Sequence, residues 1–243
     1  MEFLKTLGLA EFNSGACFGP GEWSDTTDQG VIQSFNPATG ELTYIETLED
    51  GETDGQGNPI DGLFYAGFVT CSADGRHVYA AGELDNAVVL FDRNGATGEL
   101  TIVETLVDGG TDGQGNTIDA LGGPQSIAIS PDGQHVYVAS FPWEGFVTGA
   151  VALFERDDAT GRLTFVEMHV DDSGGVVGMD GPEWLSVSPD GSHVYVAGTQ
   201  EDAIVVFARQ DTTGQLTYFQ TVWDGQAGAN GLDGGVLLAV SPD

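Results

Sequence analysis

Basic residues are almost absent from this sequence. Lys5 is the only lysine, and with five arginines it stands against 38 acidic residues, which gives a formal charge of -32 at pH 7. Because such a chain repels phosphate backbones and anionic lipid headgroups, we expect neither a nucleic acid nor a membrane as its partner. Two explanations of the acidity stay open: a solvated surface suited to a saline setting, and carboxylates that bind divalent cations.

Long hydrophobic runs are missing as well. No apolar segment approaches the roughly 18 residues that a membrane-spanning helix needs. The N-terminal segment MEFLKTLGLAEF lacks the basic region, the apolar core and the small-residue cleavage site of an export signal. The acidic composition nevertheless favours an extracytoplasmic location (periplasmic, secreted or cell-surface), without a signal peptide in this chain.

Cysteine is scarce, since Cys17 and Cys71 are the only two. They allow one disulfide, which the sequence does not demand. Cys71 takes the place in its repeat that apolar residues take in the others, so we expect a buried thiol there. No spaced set of Cys and His residues predicts a zinc site, and no nucleophile elbow, P-loop or dinucleotide-binding motif occurs.

The chain also has no segment of helical periodicity long enough for a crossover helix, and an internal repeat takes its place. An Asp-Gly turn recurs at Asp74, Asp132 and Asp190, at intervals of 58 residues. A second anchor, Thr-Gly-x-Leu, recurs with its glycine at Gly40, Gly98, Gly161 and Gly214. Two independent anchors in the same order predict a repeat architecture.

Each repeat contains four short segments rich in Val, Ile, Phe and Tyr, separated by turn residues. In the best example these segments are residues 125–130, 135–140, 150–156 and 162–168. Four antiparallel strands followed by a long return loop are typical of one blade of a β-propeller. The predicted fold class is therefore all-β, a β-propeller of four-stranded antiparallel blades.

The blade count does not come out whole. We expect a partial blade with an atypical start at residues 1–63, complete blades at 64–123, 124–181 and 182–234, and the first strand of a further blade at 235–243. A chain that stops inside a hairpin turn favours a fragment of a larger propeller, for example a seven-bladed one. The alternative is a closed four-bladed ring, whose N-terminal blade takes its second strand from the segment around Glu11 to Phe18.

Three stretches carry a resemblance to a known family: SPDGQHVYVAS, DAIVVFARQDTTGQLTYFQ and LGGPQSIAISPDG. They resemble the repeats of the lactonase-type seven-bladed propellers, the relatives of 6-phosphogluconolactonase that overlap with YVTN-type repeat proteins. The resemblance extends over nearly the whole chain from about Val31 and implies the fold more strongly than an activity, since propellers host many functions.

The resemblance also implies where an active site would lie. Enzymatic members are thought to use Arg, His and acidic residues in the central funnel, with Pro-Arg-His where this chain has Pro124-Gln125-Ser126. The other repeats have Pro182-Glu183-Trp184 and Tyr65-Ala66-Gly67 at the place we align with it. Because the basic residues are missing, we assign no catalytic residue.

Two columns of polar residues recur from repeat to repeat: Arg93, Arg156 and Arg209 at the end of the third strands, and His77, His135 and His193 at the start of the second strands. We expect the arginines to form ion pairs at the surface, beside the outer hairpin. One active site needs one special residue rather than three copies, so we interpret the imidazoles as scaffold groups that bridge the Asp-Gly turn or a neighbouring backbone group.

The loops between repeats hold the candidate site. DGETDGQGNPID (50–61) and DGGTDGQGNTID (108–119) place acids at the first, fifth and twelfth positions, glycine at the sixth and asparagine at the ninth. This spacing is close to the calcium-loop template. Calcium is the one candidate cofactor, and its candidate ligands are Asp50, Glu52, Asp54, Asn58, Asp61, Asp108, Asp112, Asn116 and Asp119.

Two features separate these loops from the template, namely Asp instead of Glu at the twelfth position and the lack of predicted flanking helices. The alternative is therefore a flexible, acidic, glycine-rich turn. Trp143, Trp184 and Trp223 lie in or beside loops, where we expect them to cover the core or, as the alternative, to stack on sugars or anchor a peptide.

Two function classes follow. The first is a non-catalytic binding or scaffold propeller whose partner is a small molecule, a carbohydrate or a protein. One form of this hypothesis adds that calcium orders the acidic loops. The alternative is a lactonase-type hydrolase that acts on a sugar lactone. The missing basic funnel residues favour the first class, because a phosphorylated lactone needs a cationic pocket.

Overall fold

A computed structural model of the chain describes residues 9–12, 31–36, 43–141, 148–226, 228–234 and 238–241. Every regular element in these ranges is a β-strand, which confirms the predicted all-β class. No helix capable of crossing a lipid bilayer occurs in this part of the chain. The strands are β1 (Leu9–Phe12), β2 (Val31–Asn36), β3 (Thr43–Glu49), β4 (Ala66–Cys71), β5 (His77–Gly82), β6 (Ala87–Arg93), β7 (Leu100–Val107), β8 (Pro124–Ile129), β9 (His135–Ser140), β10 (Ala150–Arg156), β11 (Leu163–Val170), β12 (Pro182–Val187), β13 (His193–Gly198), β14 (Ala203–Arg209) and β15 (Leu216–Trp223).

The strands form four sheets, each with its strands in sequence order. Blade A consists of β4–β7, blade B of β8–β11 and blade C of β12–β15, and each has four antiparallel strands. The partial blade consists of β1–β3. The inner strands β4 and β12 both contact β8, so the blades are arranged side by side around one axis. This arrangement is the four-stranded propeller blade that the repeats predict.

The hairpin turn of the repeat motif explains where the inner strand ends. In blade B, Ser130 Oγ donates to Asp132 Oδ1 at 2.5 Å, and the His135 backbone N–H donates to Ser130 Oγ at 3.0 Å. Gly133 has a φ of 74°, which favours glycine. The predicted strands of this blade agree with the observed ones within two residues at every end.

The core is divided among the joints between blades. One buried cluster lies between the partial blade and blade A, a second between blades A and B, and a third between blades B and C. Strand β9 shows why: Val136 and Val138 enter the cluster toward blade A, whereas Tyr137 and Ala139 enter the cluster toward blade C. Alternate side chains of a strand point to opposite faces, so one middle blade serves two joints.

The two ends of the chain are less regular than the middle. Strand β1 pairs with β2 and so occupies the position that the second strand has in a complete blade. It overlaps the start of the segment from which the closed-ring alternative takes this second strand. The predicted first strand of a further blade lies partly outside the described residues, and residues 238–241 are not in a strand. Residues 1–8, 13–30 and the aromatic segment 142–147 with Trp143 also lie outside the described residues.

Two rims of the propeller differ in what they carry. The hairpin rim bears the Asp-Gly turns between first and second strands and the Thr-Gly turns between third and fourth strands. The loop rim bears the long loops between blades (50–63, 108–121 and 171–181), the start of each inner strand and the end of each second strand. The predicted loops therefore begin and end on the loop rim, whereas the recurring arginines and histidines lie on the hairpin rim.

Candidate functional site

The recurring arginines and histidines hold neighbouring blades together. Arg156 of blade B donates from Nε to Tyr79 Oη of blade A at 2.8 Å, and its Nη2 lies 2.7 Å from His77 Nδ1. Tyr79 Oη in turn donates to the Gly161 carbonyl oxygen at 2.6 Å. We call this set the Arg–Tyr–His clasp. Because a guanidinium only donates, His77 Nδ1 accepts, and the imidazole is in its neutral form.

The same clasp joins blades B and C. Arg209 donates to Tyr137 Oη at 2.7 Å, and its Nη2 lies 2.8 Å from His135 Nδ1. Its Nη2 also donates to Asp132 Oδ2 at 2.8 Å. Although partial burial acts in the opposite direction, hydrogen bonds from Ser130, from the Gln134 backbone and from Arg209 lower the pKa of Asp132 to about 2.

Two members of the arginine column form the predicted ion pairs, Arg156 with Asp158 at 3.1 Å and Arg209 with Asp132 at 2.8 Å, but the predicted surface position is wrong for both. Arg156 is 4% exposed and Arg209 is 7% exposed. The end of the third strand is covered by the second strand of the preceding blade, which sequence alone does not place. His77 and His135 have the structural role that the repeat predicts, but their hydrogen-bond partner is the arginine of the next blade, and Asp132 of the Asp-Gly turn lies further from His135 Nδ1, at 3.9 Å.

A glycine completes each clasp. Gly161 has a φ of 73°, and a Cβ on it would lie 2.5 Å from His77 Cδ2. Gly214 occupies the same place against His135. The Thr-Gly anchor of the repeat is therefore required both for its turn and for the close approach of the imidazole.

The clasp is incomplete where the repeat pattern is weak. Arg93 of blade A donates from Nη1 to the Gly75 carbonyl oxygen at 3.3 Å, but its buried Nε has no hydrogen-bond partner among the described residues. The register of β1 on β2 places Ala10 where the other joints have a tyrosine. The joint between the partial blade and blade A thus relies on its apolar cluster and on the hydrogen bond from the Leu100 N–H to Glu46 Oε1 at 2.5 Å.

The acidic loops serve the blade joints as well. Asp54 accepts hydrogen bonds from the backbone N–H groups of Gln56 and Asn58, from Asn58 Nδ2, and from the N–H of Ile102 on β7. Although burial acts in the opposite direction, these bonds lower the pKa of Asp54. Strand β7 is an edge strand, so this carboxylate caps a backbone donor that no further strand pairs.

The second loop repeats this arrangement one blade later. Asp112 accepts from the N–H groups of Gln114 and Asn116, from Asn116 Nδ2 at 2.8 Å, and from the N–H of Phe165 on β11 at 2.8 Å. Asp108 accepts from the N–H groups of residues 120 and 121. The Asp54 and Asp112 carboxylates are thus engaged with protein donors, and the Asn58 and Asn116 side chains are among those donors, so four of the candidate calcium ligands bond to one another within their loops.

One group of carboxylates does come together on the loop rim. Asp50 and Asp61 of the first loop lie with Asp85, in the turn between β5 and β6, so that one oxygen of each is within 4.8 Å of the others. Asp50 Oδ1 also accepts from the Gly62 and Leu63 backbone N–H groups. Asp85 was missed by sequence reasoning, because it is not part of either loop. Glu52 and Asp119 are exposed.

A third arrangement lies at the loop-rim mouth of the central channel. Each inner strand has a β-bulge at its second residue, shown by a register shift between Ala66 and Phe68, between Pro124 and Ser126, and between Pro182 and Trp184. The bulged residues are Gly67, Gln125 and Glu183, at intervals of 58 residues. Bulges redirect side chains and are common beside active sites. We call this set the bulge site.

The bulge site holds a buried carboxyl group. Glu83 follows β5 directly, is 5% exposed, and has an Oε1 atom without a hydrogen-bond partner among the described residues. Its Oε2 would lie 3.9 Å from a Cβ on Gly67, so it extends into the space that this glycine leaves open. Burial raises the pKa of Glu83 against the effect of a hydrogen bond from Gln125, and the charge of Glu183 raises it further.

Aromatic rings lie next to the bulged residues. Phe68 of blade A and Trp184 of blade C meet edge to face, with ring centroids 5.2 Å apart and an interplanar angle of 77°. Trp184 therefore belongs to an inner strand rather than to a loop. On the other side, Thr199 Oγ1 lies 2.9 Å from the Gly181 carbonyl oxygen and 3.1 Å from Glu183 Oε1, and these two acceptors share its one hydroxyl proton at the rim.

Sequence reasoning found only part of the bulge site. It singled out the Pro124-Gln125-Ser126 and Pro182-Glu183-Trp184 segments, but it aligned Tyr65-Ala66-Gly67 with them, whereas the register aligns Ala66-Gly67-Phe68. It missed Glu83, because the residues at the corresponding places are Phe141 and Thr199 and form no column. Only the register of the strands shows that this glutamate meets the bulges.

Comparisons with known proteins agree with this architecture. A family model described as a lactonase, seven-bladed β-propeller, matches residues 68–229, more than half of the chain. A curated 6-phosphogluconolactonase from Bacillus subtilis (strain 168) is 27% identical over 153 residues, which cover 59% of this chain and 35% of the relative. The chain thus spans about a third of the length of that relative.

Solved structures show the same fold at low sequence identity. The periplasmic gluconolactonase PpgL of Pseudomonas aeruginosa matches with a TM-score of 0.54 and 24% identity over 80% of this chain and 48% of its own. A protein from Lactobacillus plantarum matches with a TM-score of 0.59 and 19% identity over 85% of this chain and 53% of its own. The chain spans about half the length of these neighbours.

Proposed function

Because the chain belongs to the lactonase family of seven-bladed β-propellers, we propose that it hydrolyses a sugar lactone at the bulge site. This is the alternative that the sequence leaves beside a non-catalytic binding or scaffold protein, and the comparisons give it more support. The curated relative and the Pseudomonas neighbour both carry the name of a lactonase. The proposal therefore replaces the expectation that leans against an enzyme.

The observation that carries the proposal is Glu83. A carboxyl group that is nearly buried, keeps one oxygen free of hydrogen bonds and has a raised pKa is suited to general-base chemistry near neutral pH. Its position beside three bulged residues at a channel mouth is typical of a functional site rather than of a core position.

The chemistry follows from that group. The Glu83 carboxylate takes a proton from a water molecule while the water oxygen bonds to the lactone carbonyl carbon, which forms a tetrahedral intermediate. When the intermediate collapses, the bond between that carbon and the ring oxygen breaks, and the protonated Glu83 returns the proton to the ring oxygen. The product is the open-chain hydroxy acid, and Glu83 is again a carboxylate.

Neighbouring side chains give Glu83 its setting. Gln125 lies close enough to the Glu83 carboxyl group to lower its pKa, while its Nε2 donates to the Gly123 carbonyl oxygen at 3.3 Å, so Gln125 is a positioning residue beside the base at the bulge site. The Phe68 and Trp184 rings offer an apolar surface of the kind on which the C–H face of a sugar packs. Glu183, held by Thr199, is an acceptor for sugar hydroxyl groups.

The test is hydrolysis of D-glucono-1,5-lactone by the purified chain, followed as acid release at constant pH against a protein-free blank. We expect activity above the blank, rising with pH through the raised pKa of Glu83 and then levelling. Glu83→Gln should lower kcat by about 100-fold or more, because it removes the base and keeps the shape. Glu99→Gln, an exposed change on the hairpin rim, is the control.

If hydrolysis does not exceed the blank, the proposal is wrong and the binding or scaffold interpretation is favoured instead. Equal kcat values for Glu83→Gln and the unchanged chain would instead exclude Glu83 as the base.

An extracytoplasmic location belongs to the same proposal. It is supported by the acidic composition and by the periplasmic neighbour of the same fold.

A further inference from the structure

The charges of the protein are divided between its rims. All five arginines lie in the described residues, and all lie on the hairpin rim: Arg76 and Arg162 at turns, and Arg93, Arg156 and Arg209 at the ends of third strands. The loop rim has no lysine or arginine within residues 43–141, 148–226 and 228–234, and residues 142–147 and 227 contain none in sequence. The imidazole nearest the loop rim, His169, is on an outer strand beside Glu167 at 3.3 Å.

Four of the five arginines are also bound to groups of their own rim. Arg156 and Arg209 are buried in clasps, Arg76 Nε pairs with Asp74 at 2.5 Å, and Arg162 Nη1 pairs with Glu104 at 2.6 Å. A ligand at the channel mouth of the loop rim therefore meets no fixed positive side chain in the described part of the chain.

Acidic groups lie together on the loop rim, both in blade C and at the bulge site. Burial raises the pKa of Glu201, and the charges of Asp171 and Asp180 raise it further, so these acids on the loop rim of blade C repel one another. Glu183 stands at the bulge site itself and adds to the raised pKa of Glu83. Glu83 and Glu183 thus place two carboxyl groups at the bulge site, and the acids of blade C add to the negative potential of the same rim.

We propose that the bulge site accepts uncharged lactones and rejects phosphorylated ones, and that Glu183 is the residue that sets this specificity. The proposal rests on the proposed lactone hydrolysis. Sites for phosphorylated sugars use Arg or Lys side chains or other oriented donors to bind the phosphate. Here a phosphate dianion would approach a row of carboxylates without such a partner, which slows its association and weakens its binding.

The experiment compares kcat/KM for D-glucono-1,5-lactone and for its 6-phosphate. For the unchanged chain we expect kcat/KM for the 6-phosphate to be at least about tenfold lower than kcat/KM for the uncharged lactone at low ionic strength. Added salt should reduce this difference, because it screens the carboxylates of the loop rim. Glu183→Lys should raise the 6-phosphate value relative to the uncharged lactone. Asp211→Lys makes the same change of net charge at an exposed site on the hairpin rim and should leave the ratio unaltered.

The outcomes separate the inference from the function on which it rests. Hydrolysis of both lactones with equal or better use of the 6-phosphate overturns the inference and leaves lactone hydrolysis standing. Equal shifts in the ratio for Glu183→Lys and Asp211→Lys overturn the role of Glu183, because net charge alone would then decide. Hydrolysis of neither lactone overturns the proposed function and the inference with it.

Discussion

At the scale of single residues, the recurring histidine makes different contacts in different blades. His77 and His135 are buried acceptors in clasps, whereas His193, on the outer face of blade C, is half-buried and pairs its Nδ1 with Ser192 Oγ at 2.7 Å. An imidazole that must accept from a guanidinium has to stay neutral, because its protonation would place two positive charges side by side. The clasps therefore make folding sensitive to pH.

The pH dependence has a definite sign. Burial, and then the positive charge of the arginine, lower the pKa of His77 and His135 below 6.5. In the window between the lowered pKa and 6.5 the unfolded chain binds more protons, so the free energy of unfolding falls as the pH falls through that window. Above it, the imidazole is neutral in both states and contributes no pH dependence.

His135→Asn tests this, because an amide oxygen can accept from Arg209 without titrating. We expect the free energy of unfolding to drop less between about pH 7.5 and about pH 5.5 in the variant than in the unchanged chain. Carboxyl groups with raised pKa values act in the opposite direction, but they do so in both proteins and cancel in the comparison. Equal drops, measured by urea denaturation, would contradict a neutral His135.

At the scale of elements, the strands were predictable and their contacts were not. The period-2 pattern and the Ser-x-Asp-Gly and Thr-Gly turns predict the strands of blade B within two residues, because these signals are local. The bulges at Gly67, Gln125 and Glu183 leave no such signal, since a bulge is a property of two paired strands. For the same reason sequence reasoning placed Arg156 and Arg209 on the surface and missed Glu83.

The acidic loops show the same limit and lead to a prediction. Their spacing resembles a calcium loop, but Asp112 accepts four N–H donors, one of them on the edge strand β11. Asp112→Ala should lower the free energy of unfolding by about 2–3 kcal/mol, because it removes a buried carboxylate that accepts from three backbone N–H groups and from the Asn116 amide. Asp119→Ala, an exposed change in the same loop, should change it by less than about 0.5 kcal/mol. Equal effects in thermal denaturation would contradict the edge-capping role.

At the scale of the whole molecule, the net charge of -32 is explained in part by position. Asp54 and Asp112 cap edge strands, and Asp132 serves a hairpin turn and a clasp, so these acids stabilise the joints in which they lie. Glu201, Asp171 and Asp85 have raised pKa values, with burial as the largest cause and neighbouring carboxylates adding to it. Screening by salt relieves that mutual repulsion, whereas a bound cation neutralises it at one place.

Calcium binding by the first loop remains a prediction. Asp50, Asp61 and Asp85 are the carboxylates at which it can be tested, because their oxygens lie close together. A cation held there should raise the Tm at about 1 mM calcium, a concentration that adds little ionic strength, and magnesium at the same concentration should not reproduce the rise. Asp85→Asn should abolish the calcium effect and keep the rise of Tm between about 0.05 M and about 1 M KCl, since screening acts on all the acids. A Tm that responds to KCl but not to calcium would contradict the calcium site. The screening of repulsion among the acids would then account for the effect of salt, and the calcium-like spacing of the first loop would reflect only its hydrogen-bonded turn.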